Sequence, residues 1–337
     1  MDADSILNIK TPEELFDDPN EIKKKFRELS LKWHPDVALN SGSVFQHINE
    51  LYKQALEKVK VGNWKSKHYY QFKSKTGTIY ILKNPQVVRT FELGEYVVND
   101  ENVVYLIDKQ HRDLYSNAYH LFLNGFKFAS ASMEKEAARY LPKPKIMEEL
   151  EDGRYCIVIP KTKDLICLRD VLEYYKGEIP VKHTAWIVSS LQNIVCYLDY
   201  AEISHQDISL DNYFISPEYH SGALLGGWWY ALKLNSTIKK LPARTYRLLP
   251  WKVKNNKKSK ISTDLELVRA VGRECLGDVH GNKKLSAPNP ISEFLKSVSK
   301  DTAIGEYMAW RRALEDGFGK RTFEVMNLKT TDVYKEN

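Results

Sequence analysis

The sequence lacks the patterns of secreted, disulfide-bonded and membrane-spanning proteins. Only four of its 337 residues are cysteine, and they lie far apart, without metal-ligand spacing: Cys156, Cys167, Cys196 and Cys275. Such cysteines are expected to be buried thiols of a reducing compartment. The N-terminus is acidic and has no apolar core, so it is not a signal peptide. Because no apolar run reaches membrane-spanning length, the sequence predicts a cytoplasmic protein that does not contact a membrane.

Acidic residues are also missing from one long stretch, residues 219–263. Basic residues are frequent there: Lys233, Lys239, Lys240, Arg244, Arg247, Lys252, Lys254, Lys257, Lys258 and Lys260. One interpretation is a solvated, mobile loop. The other is an anion-binding surface for nucleic acid, phosphorylated protein or an acidic chaperone face. Composition does not separate the two.

The first seventy residues carry the pattern of a helical hairpin. In "EIKKKFRELSLKW", four apolar residues recur at helical spacing: Ile22, Phe26, Leu29 and Trp33. Pro35 is expected to end this helix, because the residue before a proline is pushed out of the helical region. A second amphipathic helix is predicted in "SVFQHINELYKQALEKV". The connecting loop carries His34-Pro35-Asp36.

Residues 4–60 resemble a J domain, the module with which co-chaperones engage DnaK-type chaperones. "SILNI" and "TPEELFDD" stand at the first helix, while "EIKKKFRELSLKWHPD" and "FQHINELYKQAL" follow the second and third. The resemblance implies that the HPD loop promotes ATP hydrolysis by the chaperone, and that basic residues dock on its acidic surface. The residues implied are His34, Pro35, Asp36, Lys23, Lys24, Lys25 and Arg27. The segment between the HPD loop and the third helix departs from the family in being short and not basic.

Strand and helix patterns are segregated along the rest of the chain. Short β-branched and aromatic runs come first: "TGTIYILK", "GEYVVN", "NVVYLIDK" and "RYCIVIP". Helical patterns dominate after Leu165, which predicts an α+β domain with segregated layers or two lobes. The predicted boundaries are a J domain at 1–62, a linker at 63–76, a strand-rich lobe at 77–168 and a helical lobe at 169–337.

The segment "HQDISLDN" lies between a long amphipathic helix and a predicted strand pair. Its His205, Asp207 and Asn212 match the spacing of the protein-kinase catalytic loop, HRD-x-x-x-x-N. The resemblance implies a multidomain protein, in which a small all-α J-domain hairpin precedes an α+β bilobal protein-kinase-like fold. It also implies that Asp207 accepts the proton of a substrate hydroxyl, that Asn212 holds a metal ion and that Asp264 ties down the loop backbone. The alternative for Asp207 is a structural role in which it caps backbone amides.

The metal ligand that a kinase needs after this strand pair is missing. The stretch reads "LLGGWWYA", so Gly227 stands where the aspartate of the DFG motif belongs and Trp228 where its phenylalanine belongs. Glycine has no side chain with which to bind magnesium. The sequence therefore predicts no metal site and an inactive, pseudokinase-type domain.

Other kinase motifs are degraded as well. Only Gly94 lies where a glycine-rich loop is expected, and Tyr105 falls at the position of the strand-three lysine. Lys109 shares the face of Tyr105 by the period-two rule. It could replace that lysine, with Glu136 as the helix glutamate, or both could be surface charges. Lys252 stands where a glutamate usually ends the activation segment.

A second match, "HRDLYSN", begins at His111. Its Asn117 is one residue short of the required spacing, and no strand pair follows. We therefore predict that it is a chance match in a surface loop.

The sequence thus predicts a co-chaperone or adaptor, whose J domain recruits and stimulates a DnaK-type chaperone while its inactive kinase-like domain binds a client or partner protein. One alternative is a noncanonical Ser/Thr-kinase-like phosphotransferase that uses Asp207, for which ATP with magnesium is the implied cofactor. Another is an adaptor that binds nucleic acid or phosphate through residues 219–263.

Overall fold

The computed structural model describes residues 1–38, 41–320 and 324–334. The chain divides into two compact units, Met1–Gln110 with Ile146–Val158 and His111–Lys145 with Ile159–Asn337. It combines β-sheet with many helices, so the predicted α+β class is confirmed. Within the described ranges, no helix has both the length and the apolar character needed to cross a membrane.

The first unit begins with helices that enclose an apolar core. They are α1 (Ala3–Leu7), α2 (Pro12–Phe16), α3 (Ile22–Trp33) and α4 (Gly42–Lys60). Phe26 stacks on Tyr52 with ring centroids 3.8 Å apart. Nearer the connecting loop, His34 meets Phe45 edge-on at 5.1 Å. This order of contacts makes α3 and α4 antiparallel, as predicted.

The end of α3 follows the proline rule. The helix stops at Trp33, and His34 has extended backbone angles, φ −63° and ψ 137°. His34 precedes Pro35, whose ring disfavours helical geometry in the residue before it. The chain therefore turns directly after the helix.

The segment predicted as a linker, residues 63–76, takes part in the packing of the first unit. Trp64 is fully buried in the helical core, and its indole N–H donates to the backbone oxygen of Asp17 at 2.8 Å. Strand β1 (Tyr69–Lys73) also lies in this segment and pairs antiparallel with β2 (Ile79–Lys83).

A five-stranded sheet completes the first unit. Its strands are β3 (Val87–Phe91), β4 (Gly94–Val98), β5 (Asn102–Ile107), β6 (Ile146–Glu149) and β7 (Tyr155–Pro160). Their spatial order is β3-β4-β5-β7-β6. One apolar cluster contains Val97 of β4, Val104 and Leu106 of β5, and Tyr70 and Phe72 of β1. The β-branched runs of the sequence thus form the strands they predicted.

The second unit is mainly helical. Its elements are α5 (Arg112–Asn124), α6 (Ala131–Ala137), β8 (Ile166–Cys167), α7 (Leu168–Tyr174), α8 (Val181–Tyr200), β9 (Ile203–Ser204), β10 (Tyr213–Ser216), β11 (Ser221–Leu224), β12 (Leu232–Lys233), α9 (Ala243–Leu248), α10 (Trp251–Asn256), α11 (Ile261–Cys275), α12 (Asn289–Lys296), α13 (Ala303–Phe318) and α14 (Thr330–Val333). Helix α8 packs on α11 and α13 in the core. Strand β10 pairs antiparallel with β11, which confirms the predicted strand pair.

Two stretches for which a loop was considered contain regular structure, and the prediction of a surface loop for "HRDLYSN" was wrong. "HRDLYSN" forms the start of α5, where the Asn117 amide donates to the backbone oxygens of Trp229 (2.9 Å) and Ala231 (2.8 Å). The acid-free stretch 219–263 contains β11, β12, α9 and α10. In both places side-chain contacts with distant segments stabilise regular structure that local charge and turn composition did not indicate.

Candidate functional site

The loop that carries "HQDISLDN" is held at its start by a buried carboxylate. One oxygen of Asp264 accepts the backbone N–H of His205 at 2.9 Å, and the other accepts that of Gln206 at 2.7 Å. Asp264 lies in the first turn of α11 and is fully buried. Burial raises the pKa of this carboxyl to about 7, although the two amides act in the opposite direction. The role expected for Asp264 from the sequence is confirmed.

The structure brings Asp207 and Asn212 together. The Asn212 amide donates at 2.8 Å both to the backbone oxygen of Asp207 and to its carboxylate. The backbone oxygen of Asn212 accepts the N–H groups of Leu225 (2.9 Å) and Gly226 (3.1 Å) after the strand pair. Both side chains are buried, with Asp207 8% exposed. These contacts close the loop on itself and tie it to the segment that contains Gly227.

His205 is buried beneath this loop as a neutral imidazole. Its Nδ1 accepts the backbone N–H of Asp207 at 3.2 Å, so Nε2 carries the proton that is donated to the Gly226 oxygen at 3.0 Å. The ring meets Trp228 edge-on, with centroids 4.6 Å apart. Complete burial lowers the pKa of His205 to about 3. This histidine therefore stays uncharged at neutral pH and supports the loop structurally.

Opposite pKa shifts predict a compensated pH dependence of stability. His205 stabilises the fold above its unfolded pKa of 6.5, and this contribution is lost as the pH falls towards 3. Asp264 has a raised pKa, so its contribution is present below 3.8 and lost as the pH rises through about 7. In the overlapping range the two contributions offset each other. We expect His205→Asn to remove the contribution of the histidine. The free energy of unfolding of the variant minus that of wild type should then rise by about 1 kcal/mol for each unit by which the pH falls below 6.5.

Urea denaturation at several pH values between about pH 7.5 and about pH 5.5 measures this difference. His280→Asn, a change at an exposed histidine, is the matched control and should leave the profile parallel to that of wild type. A parallel profile for His205→Asn would contradict the assignment of a neutral buried imidazole.

Gly227, at the position expected for a metal ligand, has no room for a side chain. Its φ of +82° lies in the left-handed region that favours glycine. A Cβ atom there would lie 2.6 Å from Cε1 of His205 and 2.8 Å from the Asn212 amide nitrogen. The described residues also contain no cluster of three or more His, Cys, Asp or Glu side chains that could hold a metal ion. His205 and Asn212 thus occupy the space that the side chain of an aspartate at position 227 would need.

In the first unit, Tyr105 and Lys109, the two candidates for the strand-three lysine position, lie in different surroundings. Tyr105 is buried on β5 among the rings of Phe91 and Tyr96, at 6.0 and 5.9 Å. Strand β5 ends at Ile107, so Lys109 lies beyond it, exposed in the 3₁₀ turn Lys109–His111. The predicted face shared by Tyr105 and Lys109 is therefore not continued to Lys109.

The other two nucleotide-site candidates have local structural roles. Gly94 begins β4 after a turn of two residues, and a Cβ atom there would lie 2.1 Å from the backbone oxygen of Leu106. It is thus required by close strand packing. In the second unit, Glu136 is exposed on α6 and forms an ion pair with Arg139.

Side chains that anchor the loop from α9 were missed by sequence reasoning. Arg244 donates to both carboxylate oxygens of Glu274, at 3.0 and 3.1 Å, and to the backbone oxygen of Ile208 at 2.9 Å. The Thr245 hydroxyl donates to the backbone oxygen of Gln206 at 2.8 Å. In the sequence, Arg244 is one of the many basic residues of 219–263. Its partner lies thirty residues further on, so no local spacing could identify it.

The HPD loop is exposed at the end of α3. The side chains of His34 and Asp36 are 44% and 86% exposed, and Pro35 is exposed as well. The His34 Nδ1 accepts the backbone N–H of Asp36 at 3.3 Å, which orders the turn. On α3 itself, the predicted docking residues Lys23, Lys24, Lys25 and Arg27 are all exposed.

Comparisons with known proteins give likenesses in structure but none in sequence. No protein-family model matches the chain, and no curated protein sequence does. A solved structure of vaccinia related kinase 3 is similar, with 13% sequence identity and a TM-score of 0.48, over 77% of this chain and 95% of that chain. Because both the identity and the score are low, this match carries no argument about activity.

Proposed function

We propose that residues 1–62 act as a J-type co-chaperone module that binds a DnaK-type chaperone. We further propose that the remainder is a non-catalytic, kinase-like scaffold that binds a client or partner protein. The exposed HPD loop carries the first part of this proposal, because its three residues stand in an ordered turn and the side chains of His34 and Asp36 are 44% and 86% exposed. Burial of the apolar stripe against α4 leaves the basic face of α3 for solvent.

The charge pattern of α3 supports a chaperone as the partner. Lys23, Lys24, Lys25 and Arg27 are consecutive or nearly so, and exposed side chains of one sign steer association with an oppositely charged surface. Within this group, Lys24 contacts Glu21 at 3.4 Å, but both side chains are more than half exposed. Such a surface pair contributes little to stability, so the lysine can exchange its partner at low cost.

The contacts around the "HQDISLDN" loop support the kinase-like, non-catalytic part of the proposal. A long helix, a buried loop and a strand pair follow one another, and Asp264 binds the loop backbone as the kinase resemblance implies. Gly227 supplies no metal ligand and lies too close to His205 for a side chain. Phosphoryl transfer depends on metal ions to neutralise developing charge. The site therefore keeps the scaffold of the motif without the ligand that its chemistry requires.

His34→Gln is expected to abolish stimulation of the chaperone ATPase. The substitution removes the imidazole whose Nδ1 orders the HPD turn, and glutamine is a longer, flexible replacement. Steady-state ATP hydrolysis by a DnaK-type chaperone, with and without the full-length protein, measures the effect. Lys24→Gln with Lys25→Gln should weaken association, most strongly at low salt.

Lys53→Gln, at an exposed position on α4, is the matched control and should stimulate as well as wild type. Equal stimulation by wild type and His34→Gln, or none by either, would remove the co-chaperone proposal while leaving the scaffold proposal to be tested separately.

A phosphotransferase that uses Asp207 is the second candidate function. The observation that favours it is the 2.8 Å contact between the Asp207 carboxylate and the Asn212 amide, which keeps both motif residues in one loop. A phosphate-transfer assay distinguishes the two candidate functions directly. Transfer of labelled phosphate from Mg-ATP that is lost in Asp207→Asn supports the enzyme, whereas the scaffold transfers none.

A further inference from the structure

Two large aromatic side chains are exposed on the short helices of the acid-free stretch. Trp251 at the start of α10 is 76% exposed, and Tyr246 on α9 is 63% exposed. Aromatic rings of this size are usually largely buried. Together with Arg247, Lys252 and Lys254 they form what we name the α9–α10 surface. Neither the chaperone contact nor the scaffold proposal uses it.

The aromatic rings and the positive charges of this surface are adjacent. The Lys254 ammonium lies 5.7 Å from the ring centroid of Tyr246. Trp251 precedes Lys254 by three residues on α10, so the two side chains lie on neighbouring positions of one face. The Lys254 ammonium also contacts the backbone oxygen of Arg247 at 3.5 Å. Ring faces and cations are thus presented within one small area.

The positive charge of the α9–α10 surface is almost uncompensated. In the described part of the chain, its one ion pair joins Lys252 to Asp301 at 3.9 Å, and both side chains are at least four-fifths exposed. Pairs so exposed are weak and are screened by salt. No acidic residue occurs between 219 and 263 to reduce the local potential. An anion that approaches here therefore meets a net positive surface.

Buried contacts hold this surface in a fixed position. Arg244 and Thr245 bind α9 to the backbone of the "HQDISLDN" loop. On α10, the side chain of Val253 is buried and fixes the helix to the protein. The aromatic and basic side chains therefore project from anchored helices, which lowers the entropy lost when a ligand binds.

We propose that the α9–α10 surface binds single-stranded nucleic acid. Bases of an unpaired strand stack on aromatic faces without a sequence requirement, while lysine and arginine contact the phosphates between them. The surface offers both groups side by side. An acidic protein would use the cations alone and would leave Tyr246 and Trp251 without a function. Base pairing hides the base faces, so a duplex is expected to bind more weakly than a strand.

Fluorescence anisotropy with a labelled oligothymidylate of about 20 nucleotides tests the proposal on the full-length protein. We expect binding whose affinity falls with salt. Tyr246→Ala and Trp251→Ala should each weaken it roughly tenfold through lost stacking. Arg247→Gln and Lys254→Gln should each reduce the salt slope by about 0.7. An oligouridylate of equal length distinguishes RNA from DNA as the preferred strand.

Matched controls separate this surface from general basic charge. Lys53→Gln with Lys60→Gln removes two exposed charges from α4, and Tyr200→Ala removes a half-exposed ring from α8. Both should bind the strand as wild type does. The proposal is overturned if no salt-dependent binding occurs, if the aromatic variants bind normally, if a duplex of equal length binds equally well, or if polyglutamate displaces the strand at equal charge concentration.

Discussion

Gly227→Asp is expected to lower the free energy of unfolding by about 2–5 kcal/mol without creating a magnesium site. The estimate combines the cost of a side chain at a left-handed backbone position with that of overpacking a buried site. The new Cβ would lie 2.6 Å from Cε1 of His205, 2.8 Å from the Asn212 amide nitrogen and 3.0 Å from the Asp207 backbone oxygen. The last of these is backbone and cannot rotate away.

Gly227→Ala is the matched control, because alanine adds the same Cβ without a carboxylate. We expect it to account for most of the destabilisation, which urea denaturation of both variants would show. Calorimetry should show that Gly227→Asp binds Mg-ATP no more tightly than wild type does. A stable Gly227→Asp protein that binds Mg-ATP or transfers phosphate would contradict the structural account of Gly227 and would favour the phosphotransferase.

The local helix and strand patterns of the sequence predicted most elements of the fold. The apolar stripe of α3, its end before Pro35 and the pair β10–β11 are each encoded by residues only a few positions apart, so periodicity and proline chemistry indicate them directly. The contact of Asp264 with the loop was also foreseen, but through family resemblance. The packing of residues 63–76 was not predicted, because Trp64 is buried by helices that lie earlier in the sequence, and composition does not reveal such long-range packing.

The candidate site could be predicted only in part, because burial changes what a residue type means. Gly227 was recognised as a missing ligand, whereas the crowding around it depends on His205 and Asn212 in space. Arg244 looked like one more surface charge, yet it pairs with Glu274 and holds the loop. Arg269 in "STDLELVRAVG" gave no sign of burial at all, although it is 1% exposed. Its partners come from α12, α13 and the segment between them.

Arg269→Met is expected to lower the free energy of unfolding by about 3–5 kcal/mol, because it leaves the carboxylate of Glu306 buried without its partner. The guanidinium donates to Glu306 at 2.5 Å and to the backbone oxygen of Ser297 at 2.9 Å, and it lies 3.9 Å above the ring centroid of Phe294. The second oxygen of Glu306 accepts the backbone N–H of Lys300 at 2.8 Å. Loss of the arginine therefore disturbs α11, α12 and α13 together.

A double-mutant cycle with Glu306→Leu measures the coupling, with unfolding in urea followed by circular dichroism. Once both charges are gone, no uncompensated ion remains buried, so the double variant should be less destabilised than the sum of the two single variants. Arg311→Met is the matched control on α13, since its ion pair with Glu315 is more than half exposed on both sides. That change should cost no more than about 0.5 kcal/mol. Additive losses in the Arg269–Glu306 cycle would show that the pair is not the unit that stabilises these three helices.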